Sequence, residues 1–106
     1  MRAMVVEANT LSALRVTEAL ALAGFSIVGP ARSSGEAFLL AQLETPDIVV
    51  LGADLEARGA GSRLADRLGR DMNIPSVMTN EYAKPQEAAT CTQIVEVALQ
   101  RRRRHS

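Results

Sequence analysis

The chain has 106 residues, 47% of them hydrophobic, enough for one compact core and too few for two ordinary domains. Its twelve basic residues balance twelve acidic ones, but Arg101, Arg102, Arg103 and Arg104 stand together near the end, so residues 1–100 carry eight bases against twelve acids. A mildly acidic body argues against a nucleic-acid surface spread over the domain, because such surfaces gather Lys and Arg on one face. The expected organisation is therefore a domain over residues 1–100 followed by a basic tail over 101–106.

Apolar stretches are interrupted by Glu18, Arg32 or Asp47 well before the eighteen or so residues of a bilayer span, and the start lacks a secretory pattern. A cytoplasmic protein without a membrane span is expected. Cys91 is the only cysteine, which rules out an intramolecular disulfide and a cysteine cluster for zinc. Its ordinary place is a small core residue on a helix.

In chain order, residues 3–7 form a short apolar run ending in Glu7, the pattern of a strand. Asn9 and Thr10 are capping candidates for a helix whose apolar stripe is Ala13, Val16, Leu20 and Ala23, with Gly24 as its stop. Leu11, Leu14 and Leu22 widen that stripe, so this helix is expected to be covered on more than one side. Residues 25–29 read as a second strand closed by Pro30. Ser33 with Glu36 has the form of a capping box and opens a helix over 34–44, which Thr45 and Pro46 end. Residues 48–51, Ile-Val-Val-Leu, are the continuous apolar run of a strand buried on both faces. Residues 56–61 form a glycine-containing loop, Ser62 caps a third helix to about residue 71, and residues 75–78 make a fourth strand. The last helix is expected over 85–101, with Ala88, Cys91, Val95 and Ala98 on one stripe and Pro85 at its first position. Strands alternating with helices predict an α/β fold, a flavodoxin-like parallel sheet.

Most catalytic chemistry is absent on residue types. Gly59 and Gly61 lack the third glycine or the Gly-Lys-Ser/Thr ending of a phosphate loop and read as a turn into the third helix. The only histidine, His105, lies in the tail, so no serine, histidine and acid constellation exists and a metal role for His105 is improbable on its surroundings. Arg101 to Arg104 read as a solvated run that complements a helix C-terminus; an acidic partner, nucleic acid or an anionic membrane is the alternative.

Three segments together resemble the receiver domain of response regulators, the CheY-like family. Met4-Val5-Val6-Glu7-Ala8-Asn9 is similar to the family's first strand and acidic pair, and the stretch from Pro46 to Leu55 is similar to its third strand. Ile74-Pro75-Ser76-Val77-Met78-Thr79, followed by Lys84-Pro85, is similar to its fourth strand and terminal Lys-Pro. The resemblance implies that the phospho-acceptor aspartate falls on Gly52, which has no nucleophile, and the acidic pair on Glu7 and Ala8, where one carboxylate is lost. Thr79 matches the hydroxyl that senses the phosphoryl group and Lys84 the lysine that pairs with the acceptor. Tyr82 sits one residue off the spacing of the family's switch aromatic and takes no role. Only four residues separate Thr79 from Lys84, too few for a crossover helix and a fifth strand. Either that unit is deleted, leaving about four strands, or Lys84 is misaligned.

The resemblance thus implies a degenerate, shortened pseudo-receiver. It would be a single-domain protein of two-component (phosphorelay) signalling that binds a histidine kinase, phosphotransfer protein or regulator independently of phosphorylation. No catalytic residue, cofactor or metal is expected, since Glu7 and Asp54 alone make a poor magnesium or calcium site. The alternative keeps the chain in the phosphorelay with Asp54, two residues beyond Gly52, as a displaced acceptor; otherwise Asp54 begins a turn and Glu7 is a solvated strand-end acid. Lys84 either pairs with Glu7 or Asp54 or is exposed. Loss of the fifth strand leaves Pro75, Ser76, Val77 and Met78 as an edge, so a homodimer is expected in which a partner covers this edge or the last helix. The monomeric alternative folds the last helix back beside the first.

Overall fold

A computed structural model describes residues 1–79 and 88–105, without the side chains of 88–90 and 102–105. The order is β1 (Arg2–Val6), α1 (Thr10–Leu22), β2 (Ser26–Ala31), α2 (Ser34–Glu44), β3 (Ile48–Leu51), α3 (Ala60–Met72), β4 (Ser76–Met78) and α4 (Ala88–His105). The four strands form one parallel sheet in the order β2-β1-β3-β4. This is the flavodoxin-like arrangement expected, with four strands among the described residues.

The two central strands carry the core because their alternate residues face opposite sides and both sides are covered. Ala3, Val5, Ile48, Val50 and Val77 meet Val16 and Leu20 of α1 and Ile94 and Ala98 of α4. On the other face Met4, Val6, Val49 and Leu51 meet Ala37 and Ala41 of α2 and Leu64 and Leu68 of α3. Cys91 is buried in the first of these clusters, and burial pushes its thiol pKa up. The helix starts follow their caps: Asn9 Oδ1 accepts from the Ser12 N–H at 2.9 Å, and Ser33 Oγ from the Glu36 N–H at 3.2 Å.

Three expectations need correction. Pro30 does not close β2, which runs on to Ala31: pairing passes from Met4 with Val28 to Val6 with Ala31, so β2 carries one extra residue there. Proline has no N–H for a ladder, and an edge strand accommodates it at such a bulge; the Gly29-Pro30 peptide is cis. Next, α3 starts two residues before Ser62, with Gly59 as N-cap in a left-handed conformation at φ 77° that most residues avoid. The arginine run is not a separate tail: α4 continues through it to His105.

Strand β4 is an edge strand of the sheet over the described residues. Helix α4 lies beside α1 and against β4, as in the monomeric alternative. The Arg101 guanidinium donates to the Ser76 carbonyl, Val77 is fully buried, and Ser76 and Met78 are only partly exposed. The expected start of the last helix at Pro85, together with Tyr82 and Lys84, lies outside the described residues.

Candidate functional site

Sheet register assembles the site. Val6 pairs with Leu51 and Leu51 with Met78, so Glu7, Gly52 and Thr79 follow side by side at the carboxyl ends of β1, β3 and β4. That end of an open parallel sheet is where such folds place their ligands. The Gly52 N–H donates to the Val6 carbonyl at 2.9 Å, and the Glu7 N–H to the Ala31 carbonyl at 2.9 Å, which ties the end of β1 to those of β3 and β2.

The Glu7 carboxylate lies over the α-carbon of Gly52. A β-carbon added at Gly52 would stand 2.0 Å from Glu7 Oε2 and 2.9 Å from its carboxyl carbon. The space where a side chain of residue 52 would begin is therefore filled by a carboxylate delivered from the neighbouring strand. Glu7 Oε1 accepts from the Asn9 N–H at 3.2 Å, and the Thr79 hydroxyl is near enough to act on the carboxyl's pKa. Thr79 is buried, with its hydroxyl 3.4 Å from the Leu51 carbonyl oxygen, to which it can donate. Burial raises the pKa of Glu7, and Asn9 and Thr79 offset part of that rise. Glu7 is thus not the solvated strand-end acid of one sequence reading.

The surrounding loops are tied down. Asp54 is exposed, and its Oδ1 accepts from the Gly59 N–H at 2.9 Å, so it closes the turn before α3. Arg32 Nη2 donates to the Ala8 carbonyl at 3.0 Å. Glu56 Oε1 accepts from the Ser34 N–H at 2.8 Å and Oε2 from the Ser34 hydroxyl; these two bonds lower its pKa. Gly61 packs against the floor of the site: its N–H donates to the Ala53 carbonyl at 2.8 Å, and a β-carbon there would stand 1.8 Å from the Gly52 carbonyl oxygen. Gly61 is required by this approach, not by the turn into α3.

The sheet brings together Glu7, Ala8, Gly52 and Thr79; Asp54 stands apart in its turn, and Lys84 lies outside the described residues. These residues do not fit a magnesium site. Ala8 and Gly52 bring no side-chain oxygen, the Glu7 carboxylate already accepts from Asn9, and Asp54 is engaged by Gly59. Sequence reasoning missed Asn9 as a Glu7 partner, Gly61, and the link from Glu56 to Ser34. For Gly61 and Glu7 a signal existed, namely a glycine at each of two positions the topology drives against neighbouring chain, with an acid ending the adjacent strand.

No protein-family model matches the sequence, and no curated protein matches it. Solved structures do. The response regulator PhyR from Brucella abortus is 23% identical with a TM-score of 0.79, covering 93% of this chain and 47% of PhyR. The signal receiver domain of the response regulator NarL from Mycobacterium tuberculosis is 23% identical with a TM-score of 0.75, covering 96% of this chain and 95% of that domain. PhyR from Bartonella quintana, complexed with the anti-sigma factor NepR, is 21% identical with a TM-score of 0.67, covering 71% of this chain and 31% of that one. The fold is that of a CheY-like receiver domain, shortened to four strands. The chain spans about half the length of Brucella abortus PhyR, at 47%, and nearly all of the isolated NarL receiver.

Proposed function

We propose that this chain is a pseudo-receiver of two-component signalling, a non-enzymatic binding module that works without phosphoryl transfer. The observation that carries the reading is the Glu7 carboxylate over Gly52. It leaves no nucleophile at the acceptor position and fills the space in which one would stand. A phosphorylated receiver gains an anionic group near its fourth-strand hydroxyl. Here a carboxylate already stands over the acceptor position, at the strand end next to Thr79, so the module holds one arrangement without modification. The partner is a protein of the same kind of pathway: a histidine kinase, a phosphotransfer protein or a regulator. The PhyR complex with NepR supports a partner outside the kinase and phosphotransfer classes as well, since there a chain of this fold is seated with an anti-sigma factor. The module is cytoplasmic and homodimeric in this reading.

Intact mass after incubation with magnesium and acetyl phosphate tests the reading, with Asp54→Ala alongside and a competent receiver as control. No phosphoryl adduct is expected on either protein under conditions that label the control. An adduct on the wild type that disappears in Asp54→Ala would overturn the proposal and make Asp54 a relocated acceptor.

A further inference from the structure

Helix α1 carries apolar side chains on the side turned away from the core. Its buried residues are Ser12, Ala13, Val16 and Leu20, yet Leu22 is 90% exposed, Leu14 52% and Leu11 50%. At about 100° per residue, Leu11, Arg15, Glu18 and Leu22 fall within roughly 60° of one another, opposite the buried stripe. Leu14 lies at the margin. The sequence reading expected these leucines to be covered, and among the described residues they stand exposed.

Their spacing is symmetric. The midpoint between Leu11 and Leu22 falls between Val16 and Thr17, and so does the midpoint between Arg15 and Glu18. When two copies of such a helix lie antiparallel across a two-fold axis at that midpoint, each Leu11 faces the other copy's Leu22 and each Arg15 faces a Glu18. Both apolar pairs and both charge pairs are satisfied at once, which is what an isologous interface requires. Within one chain Arg15 Nη1 and Glu18 Oε2 are 3.8 Å apart, with both side chains 54% exposed, so the same charges are free to bridge across. One flank of the stripe continues into a groove of about 620 Å³ between α1 and α4, walled by Ala19, Leu22, Cys91, Val95 and Glu96. In a two-fold pair the two grooves meet on the same flank and extend the contact beyond the helices.

We propose that α1 is the homodimer interface of this protein, two copies packing antiparallel through Leu11, Leu22 and reciprocal Arg15 and Glu18 pairs. The inference refines the homodimer included in the proposed function and moves it from the β4 edge to α1. A single helix pair with its flanking groove lies at the small end of specific interfaces, so a dissociation constant on the order of micromolar is expected.

Sedimentation velocity of the full chain from about 5 to about 500 μM brackets that range, comparing the wild type, Arg15→Glu, Glu18→Arg and the double exchange. Arg15, Glu18 and Leu22 are exposed, and circular dichroism checks that the fold is kept. Each single exchange places like charges across the axis and is expected to weaken the dimer roughly tenfold or more; the double exchange, which restores opposite charges, recovers it to within about threefold. Leu22→Glu is expected to abolish it. A wild type with the mass of one protomer throughout, single exchanges without effect, or a double exchange that fails to recover would each overturn the interface. None of these outcomes bears on the phosphodonor experiment, so the interface and the binding-module reading fail separately.

Discussion

Glu7 is an acid whose environment works against its charge. A carboxyl whose pKa is raised on folding holds its proton more tightly folded than unfolded. Its contribution to stability therefore falls as pH rises from its ordinary value of 4.5 through the folded value. The carboxylate accepts from the Asn9 N–H, while the Thr79 hydroxyl donates to the Leu51 carbonyl. Glu7→Gln keeps an acceptor for Asn9 and removes the half-buried charge. We expect Glu7→Gln to be more stable than the wild type at neutral pH, with the difference shrinking as pH falls towards 4.5. Urea denaturation of both proteins between about pH 4 and about pH 8 measures this; parallel profiles would remove the burial argument. None of this is legible in the sequence alone. An acid at the end of a strand reads as solvated until the register of β1 against β3 and β4 places it between a glycine and a buried threonine.

At the scale of elements, legibility followed how much a segment depends on its own residues. The run from Ile48 to Leu51 is apolar throughout and could only be a strand covered on both sides. The caps at Asn9 and Ser33 are local hydrogen bonds between near neighbours, and they mark their helices correctly. Pro30 misled because its meaning depends on whether its strand lies at an edge, which sequence order does not state. The start of α3 misled because Gly59 caps through backbone conformation, without a side chain to advertise it, and because Asp54 closes the turn from five residues away. Two glycines of α3 make the contrast testable. Gly61→Ala would drive a methyl group into the Gly52 carbonyl and is expected to cost about 1–3 kcal/mol. Gly69 is exposed in the same helix, with the nearest atom 3.9 Å from an added β-carbon, so Gly69→Ala is expected to stabilise by about 0.5–1 kcal/mol. Thermal or urea unfolding gives both; equal effects of one sign would mean that the packing of α3 on β3 is misread.

For the whole molecule, the alternation of strands and helices specified the sheet and its ending at β4, since a chain with only four residues between Thr79 and Lys84 has no room for another crossover. The placement of α4 was open, because an amphipathic helix satisfies its stripe against the sheet of its own chain or of another. It returns beside α1, with Arg101 reaching the Ser76 carbonyl, and it leaves the outer leucines of α1 exposed. The same topology makes the site part of the fold. Glu7, Gly52 and Thr79 end three adjacent strands, so a change to any of them is read in the unfolding of the whole domain.

The central claim, that the Glu7 carboxylate occupies the place of a side chain at residue 52, is tested most directly by a double-mutant cycle of Gly52→Ala and Glu7→Ala followed by urea denaturation. The backbone at Gly52 does not have a positive φ, so alanine is conformationally acceptable there and the cost comes from displacing the Glu7 carboxylate from over Gly52 and from its bond with Asn9. Gly52→Ala is expected to cost about 1–2 kcal/mol in the wild type and less than about 0.5 kcal/mol in the Glu7→Ala background. The same cost in both backgrounds would contradict the claim.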